Sequence, residues 1–140
     1  MHHVSYPPFI FSKADTGLCT GTGGVSLLAA KLARAARCKV ILTSSSDEKL
    51  HRVRQIEGLA EVAPVNYKTV QNWHEVALLI NDNAGVDVVI ENGGTSSLLQ
   101  SCAAVAKHGI ISQVGYLGRQ DANDLQGLLP VLIDKAINLR

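Results

Sequence analysis

Gly21-Thr22-Gly23-Gly24-Val25-Ser26 runs directly into Leu27-Leu28-Ala29-Ala30-Lys31-Leu32-Ala33, so a glycine cluster opens an alanine-rich helical pattern. A helix start exposes unpaired N–H groups and the positive end of the helix dipole, and together these attract a phosphate. Glycines allow a tight turn and let a pyrophosphate approach the backbone. The cluster departs from G-x-G-x-x-G at its third glycine, where Ser26 stands; serine is small enough for the close helix–strand packing that position requires. Alone, the cluster also reads as a glycine-rich helix start with no ligand, and the segments around it decide.

Upstream, Gly17-Leu18-Cys19-Thr20 is a short apolar stretch, a first strand weakened by Gly17. Residues 1–14, with Pro7-Pro8, carry no periodicity and read as an irregular arm, leaving 15–140 as one domain. Downstream, Val25 to Cys38 has helical spacing, with Arg34, Arg37 and Lys39 in or past its last turn. Val40-Ile41-Leu42-Thr43 reads as a strand covered on both faces. Ser45-Ser46-Asp47-Glu48 reads as a capping box, with a helix to about Glu57 stopped by Gly58. Glu61 to Asn66 is a short strand that Pro64 demotes to an edge or irregular one. Gln71 to Asn83 is an amphipathic helix with Trp73, Val76, Ala77 and Ile80 on one face. Val86 to Ile90 is a strand, followed by the Asn92-Gly93-Gly94 turn and a helix N-capped by Thr95 and running to Lys107. Gly109 ends that helix and Ile110 to Val114 is the next strand. Leu125 to Lys135 carries a helical pattern interrupted at Pro130, and Ala136 to Arg140 only begins a further strand.

Strands alternating with helices predict an α/β fold, a doubly wound parallel sheet with helices on both faces and right-handed crossovers. Such sheets bind ligands beyond the carboxyl ends of their strands, where strand order reverses. The turns at 21–24, 44–46, 92–94 and 115–117 all follow strands, so four small-residue turns converge on one edge. That convergence favours a dinucleotide site over a bare turn.

An NAD site usually places Asp or Glu at the end of the second strand, bonded to the ribose hydroxyls. Here Thr43-Ser44-Ser45 offers no carboxylate, so a 2′-phosphate is not repelled. Ser44 and Ser45 are available donors and Lys49 a positive charge, which favours NADP over NAD. The plainer readings stand beside these: Ser45 as an N-cap, Lys49 as a solvated helix residue, Tyr67 as a half-buried edge aromatic. Asp47 and Glu48 are near enough to oppose a phosphate unless they point along their helix.

The remaining composition narrows the partners. A net charge of +1 gives no basic patch for nucleic acid or an anionic membrane, and no apolar run approaches the roughly 20 residues of a span. Cys19, Cys38 and Cys102 lack C-x-x-C spacing and read as reduced, buried thiols in a cytoplasmic setting. His51, His74 and His108 have no zinc-ligand spacing, so no metal is expected in this chain. Tyr116 has Gln120 four residues on, not the lysine of a Tyr-x-x-x-Lys pair, and no catalytic residue is assigned.

Asp15-Thr16, the 21–26 cluster, Ser44 to Leu50, Val65-Asn66-Tyr67, Gly85 to Glu91 and Gly115-Tyr116-Leu117 occur in an order that resembles the cofactor-binding, Rossmann-type domain of medium-chain dehydrogenase/reductases. This is the superfamily of zinc-type alcohol dehydrogenases and quinone oxidoreductases. The resemblance implies that Gly21, Thr22, Gly23, Gly24 and Val25 hold the pyrophosphate. It sets Ser44 where NAD-dependent members carry aspartate, and Lys49 and Tyr67 beside a 2′-phosphate. It sets Asn92, Gly93 and Gly94, with Val114, Gly115, Tyr116 and Leu117, beside the nicotinamide and its ribose. Family members carry a catalytic domain ahead of this segment, where only about 14 unpatterned residues stand here, and a last strand beyond Arg140. Gly17 and Cys19 replace apolar residues, and an insertion falls around Ile56 to Val62.

The expectation is therefore the NADP(H)-binding domain of an alcohol dehydrogenase or quinone reductase-like oxidoreductase. It would move hydride between NADPH and a carbonyl or activated alkene once a catalytic domain is present. The alternative is a non-catalytic nucleotide-binding remnant or an inactive gene fragment. The oligomeric state stays open; the resemblance implies pairing of family members through this domain's sheet edge, which an incomplete final strand would expose for a homodimer.

Overall fold

The computed structural model describes residues 15–140; the arm read over 1–14 lies outside the described residues. Strands β1 (Thr16–Thr20), β2 (Lys39–Ser44), β3 (Ala63–Asn66), β4 (Val86–Glu91), β5 (Val105–Gln113) and β6 (Asn138–Leu139) form one sheet. Helices α1 (Gly24–Ala35), α2 (Asp47–Arg54), α3 (Trp73–Ile80), α4 (Thr95–Ala104) and α5 (Leu128–Lys135) alternate with them. The order is β3-β2-β1-β4-β5-β6 and every pairing is parallel. This is the Rossmann-type order, with its reversal between β1 and β4.

Period-two alternation sorts the strand side chains into two cores. Leu18, Ile41, Val89 and Ile111 face α3 and α4 through Trp73, Ala77, Leu98 and Cys102. Their neighbours Cys19, Val40, Leu42, Val88 and Ile90 face α1 and α2 through Ala30, Ala33, Leu50 and Val53. Each buried Leu, Ile or Val stabilises the sheet by about 1.5–3 kcal/mol, so the central strands anchor the site edge. The first strand, weak by propensity, is central and buried along its whole length. There Gly17 sits between two strands, and packing overrides its intrinsic preference. Pro64 is exposed on β3, which pairs with β2 at one edge of the sheet.

Several boundaries differ from the sequence reading. Ser46, not Ser45, caps α2: its side chain accepts from Lys49 N, and Glu48 pairs with Arg52 instead of reaching back. The same helix ends at Arg54, and the chain reaches Gly58 (φ +84°) through turns. Gly94 (φ +85°), not Thr95, is the N-cap of α4, because the Thr95 hydroxyl is engaged by the 119–124 loop. That helix stops at Ala104 rather than Lys107, and β5 begins at once because Val105 pairs with Val86. A register shift then accommodates His108 (φ 63°) before pairing resumes at Ile110. Pro130 does not interrupt α5: it is the third helical residue, where the missing N–H has no intrahelical partner to lose. Asn138–Leu139, expected only to begin a strand, pairs with β5 and closes the six-strand order.

Candidate dinucleotide site

Because all strands are parallel, the turns after β1, β2, β4 and β5 meet at one edge. Gly21 leaves β1 with φ +85°, a conformation that excludes a side chain at low cost, and its N–H donates to Thr43 O at 3.0 Å. Gly23 is the N-cap of α1 and has no side-chain cap. By contrast, α2 is capped by Ser46, and the Thr95 N–H that starts α4 donates to Gln120 Oε1 at 3.0 Å. The amides opening α1 therefore face a cleft of about 540 Å³ at the β1/β4 reversal. A Cβ built on Gly21, Gly23 or Gly24 meets nothing within 4 Å. At Gly23 and Gly24 the missing side chain leaves room beside the amides instead of relieving a clash within the protein.

Ser26, standing in for the third glycine, is buried and does more than fit. Its Oγ donates to Thr20 O at 2.7 Å and accepts from Asn92 Nδ2 at 2.8 Å, joining the ends of β1 and β4. The β5 loop is laid along the β4 turn by backbone bonds. Val114 N donates to Glu91 O at 2.8 Å, Leu117 N to Asn92 O at 2.8 Å and Gly118 N to Gly93 O at 2.9 Å. Gly118 is obligatory there, since a Cβ would stand 2.6 Å from Gly93 O. The last wall is Gln100, which accepts from His74 N and donates to Gln71 O at 2.9 Å, fixing α4 to the start of α3.

Of the residues singled out by sequence, Gly21, Thr22, Gly23, Gly24, Val25, Tyr67, Asn92, Gly93 and Leu117 line this cleft. Ser44, Ser45, Lys49, Gly94, Val114, Gly115 and Tyr116 are not among its lining. Ser44 is buried, with its Oγ accepting from Ser46 N, while Lys49 is exposed on α2. Asp47 accepts from Asn66 Nδ2 at 2.9 Å and Glu48 pairs with Arg52, so both carboxylates have nearby partners. Sequence reading missed Thr20, Thr43, Trp73, Ser97 and Gln100 as lining residues. The two threonines had a legible signal, a hydroxyl at the end of an apolar strand; the helix residues are brought in by tertiary packing.

Glu91, closing the buried strand β4, was also missed as a site residue. It is fully buried. Its Oε1 accepts from Gly93 N at 2.6 Å, Ser97 Oγ at 2.6 Å and Thr20 Oγ1 at 3.2 Å, and its Oε2 accepts from Ser101 Oγ. Among the described residues, none that lines the cleft carries a formal charge. An anion there would be met by backbone amides and the α1 dipole, a known means of binding phosphate.

The family described as zinc-binding dehydrogenase matches residues 24–139. The chain belongs to that family. Over 124 residues it is 37% identical to a zinc-type alcohol dehydrogenase-like protein of Schizosaccharomyces pombe, covering 88% of this chain and 35% of that protein. It is 35% identical to prostaglandin reductase-3 of Mus musculus over 124 residues, 84% of this chain and 32% of the relative. The chain thus spans about a third of the length of these dehydrogenase and reductase relatives. A solved candidate alcohol dehydrogenase from Sinorhizobium meliloti superposes with a TM-score of 0.76 at 31% identity, over 91% of this chain and 36% of that one. A mycobacterial protein in complex with NADPH shares the fold, with a TM-score of 0.73 at 22% identity over 98% of this chain and 40% of its own.

The family's name implies zinc. Among the described residues no three His, Cys, Asp or Glu side chains are grouped to hold a metal. The three thiols are buried, and burial pushes Cys19 up to about 12 and Cys102 up to about 11, away from the thiolate a metal needs. The described residues do not fit a zinc centre. A dinucleotide does fit, on the free α1 amides and the open space at Gly23 and Gly24.

Proposed function

We propose that this chain binds NADP(H) and forms the cofactor half of an oxidoreductase that moves hydride between NADPH and a carbonyl or activated alkene. The observation that carries this reading is the uncapped α1 start, its glycine positions open to the cleft at the strand-order reversal. When bound, the nicotinamide supplies the hydride chemistry. The protein's task is to hold the pyrophosphate on the amides of 21–25 and to border the reacting end with the interlocked 91–93 and 114–118 segments. Groups that bind and protonate the substrate are assigned to a catalytic domain outside this segment.

The preference for NADP rests on the end of β2. Ser44 stands there without a carboxylate, and the nearby Asp47 and Glu48 are engaged by Asn66 and Arg52. Tyr67, 42% exposed at the cleft mouth, and Lys49 on α2 are the 2′-phosphate contacts of this reading, closing by side-chain motion. Three buried free thiols support a reducing, cytoplasmic setting, which cell fractionation checks. Exposed Leu139 on β6, with Leu129 and Ile133 on α5, supports a homodimer through that sheet edge. Sedimentation showing only monomer at high concentration would remove that element.

Thermal unfolding with NADPH, NADH and neither tests the main reading. A ligand at 100 times its Kd stabilises the native state by about 2.7 kcal/mol. NADPH should raise the midpoint more than NADH does. Ser44→Asp should shrink the NADPH shift relative to the NADH shift in the same variant, so any folding penalty cancels. Equal shifts by both nucleotides in the wild type would overturn the NADP assignment, and no shift by either would overturn the site.

A further inference from the structure

Glu91 has an unusual position for a carboxyl group: the last residue of a central strand, wholly buried, at the point where strand order reverses. Its four bonds come from hydroxyl and amide donors on three separate elements. Thr20 is the end of β1, Gly93 the β4 turn, and Ser97 and Ser101 are one turn apart on α4, so both serines present hydroxyls to one face. Three of these donors, Thr20, Gly93 and Ser97, also line the cleft. Glycine beside it leaves room for the Ser97–Glu91 pair: a Cβ on Gly93 would stand 2.2 Å from Ser97 Oγ and 3.1 Å from Glu91 Oε1. The turn is tightened further by Thr20 Oγ1, which accepts from Asn92 N at 2.8 Å.

We infer that Glu91 is a positioning residue for the cofactor site, whose buried carboxyl group locks the end of β1, the β4 turn and the first turns of α4 into one cleft floor. The inference rests on the nucleotide reading and adds a residue that never touches the ligand. A valine or isoleucine would suit a strand end buried among apolar side chains. A carboxyl group here gathers donors from both strands that flank the reversal, and its location beside the start of α4 suits the positive end of that helix. Glutamate reaches the serines on α4 and the Gly93 amide together, whereas the shorter aspartate stem would forfeit part of the set.

The test measures NADPH affinity by fluorescence titration on the full chain carrying Glu91→Ala, Glu91→Gln or Ser101→Ala, alongside unfolding midpoints. Ser101→Ala removes a donor that lies outside the cleft lining, so any effect on NADPH must pass through Glu91. Glu91→Ala should weaken binding about tenfold, the loss of one well-placed hydrogen-bonding group, and Ser101→Ala about threefold. Glu91→Gln keeps the shape and an acceptor oxygen and should restore affinity to within about threefold of wild type. Lys135→Met, a change on α5 that frees the carbonyls at the far end of α4, should lower the midpoint with Kd unchanged, separating positioning from general loosening. Wild-type Kd in folded Glu91→Ala overturns the inference; if that variant does not fold, wild-type Kd in Ser101→Ala does so. Failure of the wild-type chain to bind NADPH would instead overturn the nucleotide reading beneath it.

Discussion

Replacing Gly24 with alanine should separate stability from binding. Gly24 is the first residue of α1, and a Cβ there meets nothing within 4 Å. The backbone needs no left-handed conformation at this position, so alanine adds helix propensity and removes unfolded-state freedom, worth up to about 1 kcal/mol. The added methyl group occupies space beside the α1 amides where the pyrophosphate is placed. If one amide bond to phosphate is lengthened, that charge-assisted bond forfeits about 1.5–3 kcal/mol, and NADPH affinity falls about 10- to 150-fold. Gly21→Ala makes the contrast. Its neighbourhood is equally open, but φ +85° costs an L-residue roughly 1–2 kcal/mol, so the unliganded protein itself loses stability. Denaturant unfolding of both variants without ligand, followed by NADPH titration, reads the two effects separately. An alanine at 24 that leaves NADPH affinity at the wild-type value, whatever its stability, would show that phosphates do not rest on this amide row.

Two further outcomes concern groups away from the cleft. Lys135 Nζ donates to Cys102 O at 3.0 Å, Ala103 O at 2.7 Å and Val105 O at 2.8 Å, closing the carbonyl end of α4 with a positive charge. Lys135→Met keeps the apolar stem and should cost about 2 kcal/mol after discounting for partial exposure, measured as a lower denaturant midpoint at constant slope; a loss below a few tenths would show that water replaces the ammonium. Burial raises the Cys19 thiol from 9.0 to about 12 and the Cys102 thiol to about 11. Below pH 9 both thiols are protonated whether the chain is folded or unfolded; above it, only the unfolded chain releases their protons readily. Stability should therefore fall as pH rises from 9 through about 11 to 12, and the slope should flatten in a Cys19→Ala, Cys102→Ala double variant. An identical slope in that variant would assign the decline to other groups.

What the chain disclosed before its structure, and what it withheld, divides along physical lines. Val40 to Thr43 and Val86 to Ile90 were legible because β-branched runs have few alternatives to a buried strand. Pro64 marked an edge because it lacks an amide to donate, and β3 is at the edge. The helix ends were less legible. Ser45 and Ser46 offer the same hydroxyl one residue apart, and only the backbone geometry at Ser46 selects the cap. The α4 helix, read on to Lys107, gives way at Val105 because a strand partner at Val86 competes for its backbone, a contact 19 residues away in sequence. Within the site, the glycine cluster was readable from local turn chemistry. The roles of Glu91 and Gln120 were not, because each acts on groups distant along the chain, Thr20 in one case and Thr95 in the other.

That the described residues lining the cleft carry no charge has a consequence for how such a pocket ages. Its affinity for anions is invested in the main chain, which every residue shares, so truncating a side chain does not strip it away as the loss of an arginine would. What selection must police is bulk: the hydrogen at Gly23 and Gly24 has to stay a hydrogen. A lineage can therefore drift widely in sequence around this bend and still grip a nucleotide, provided those vacancies persist.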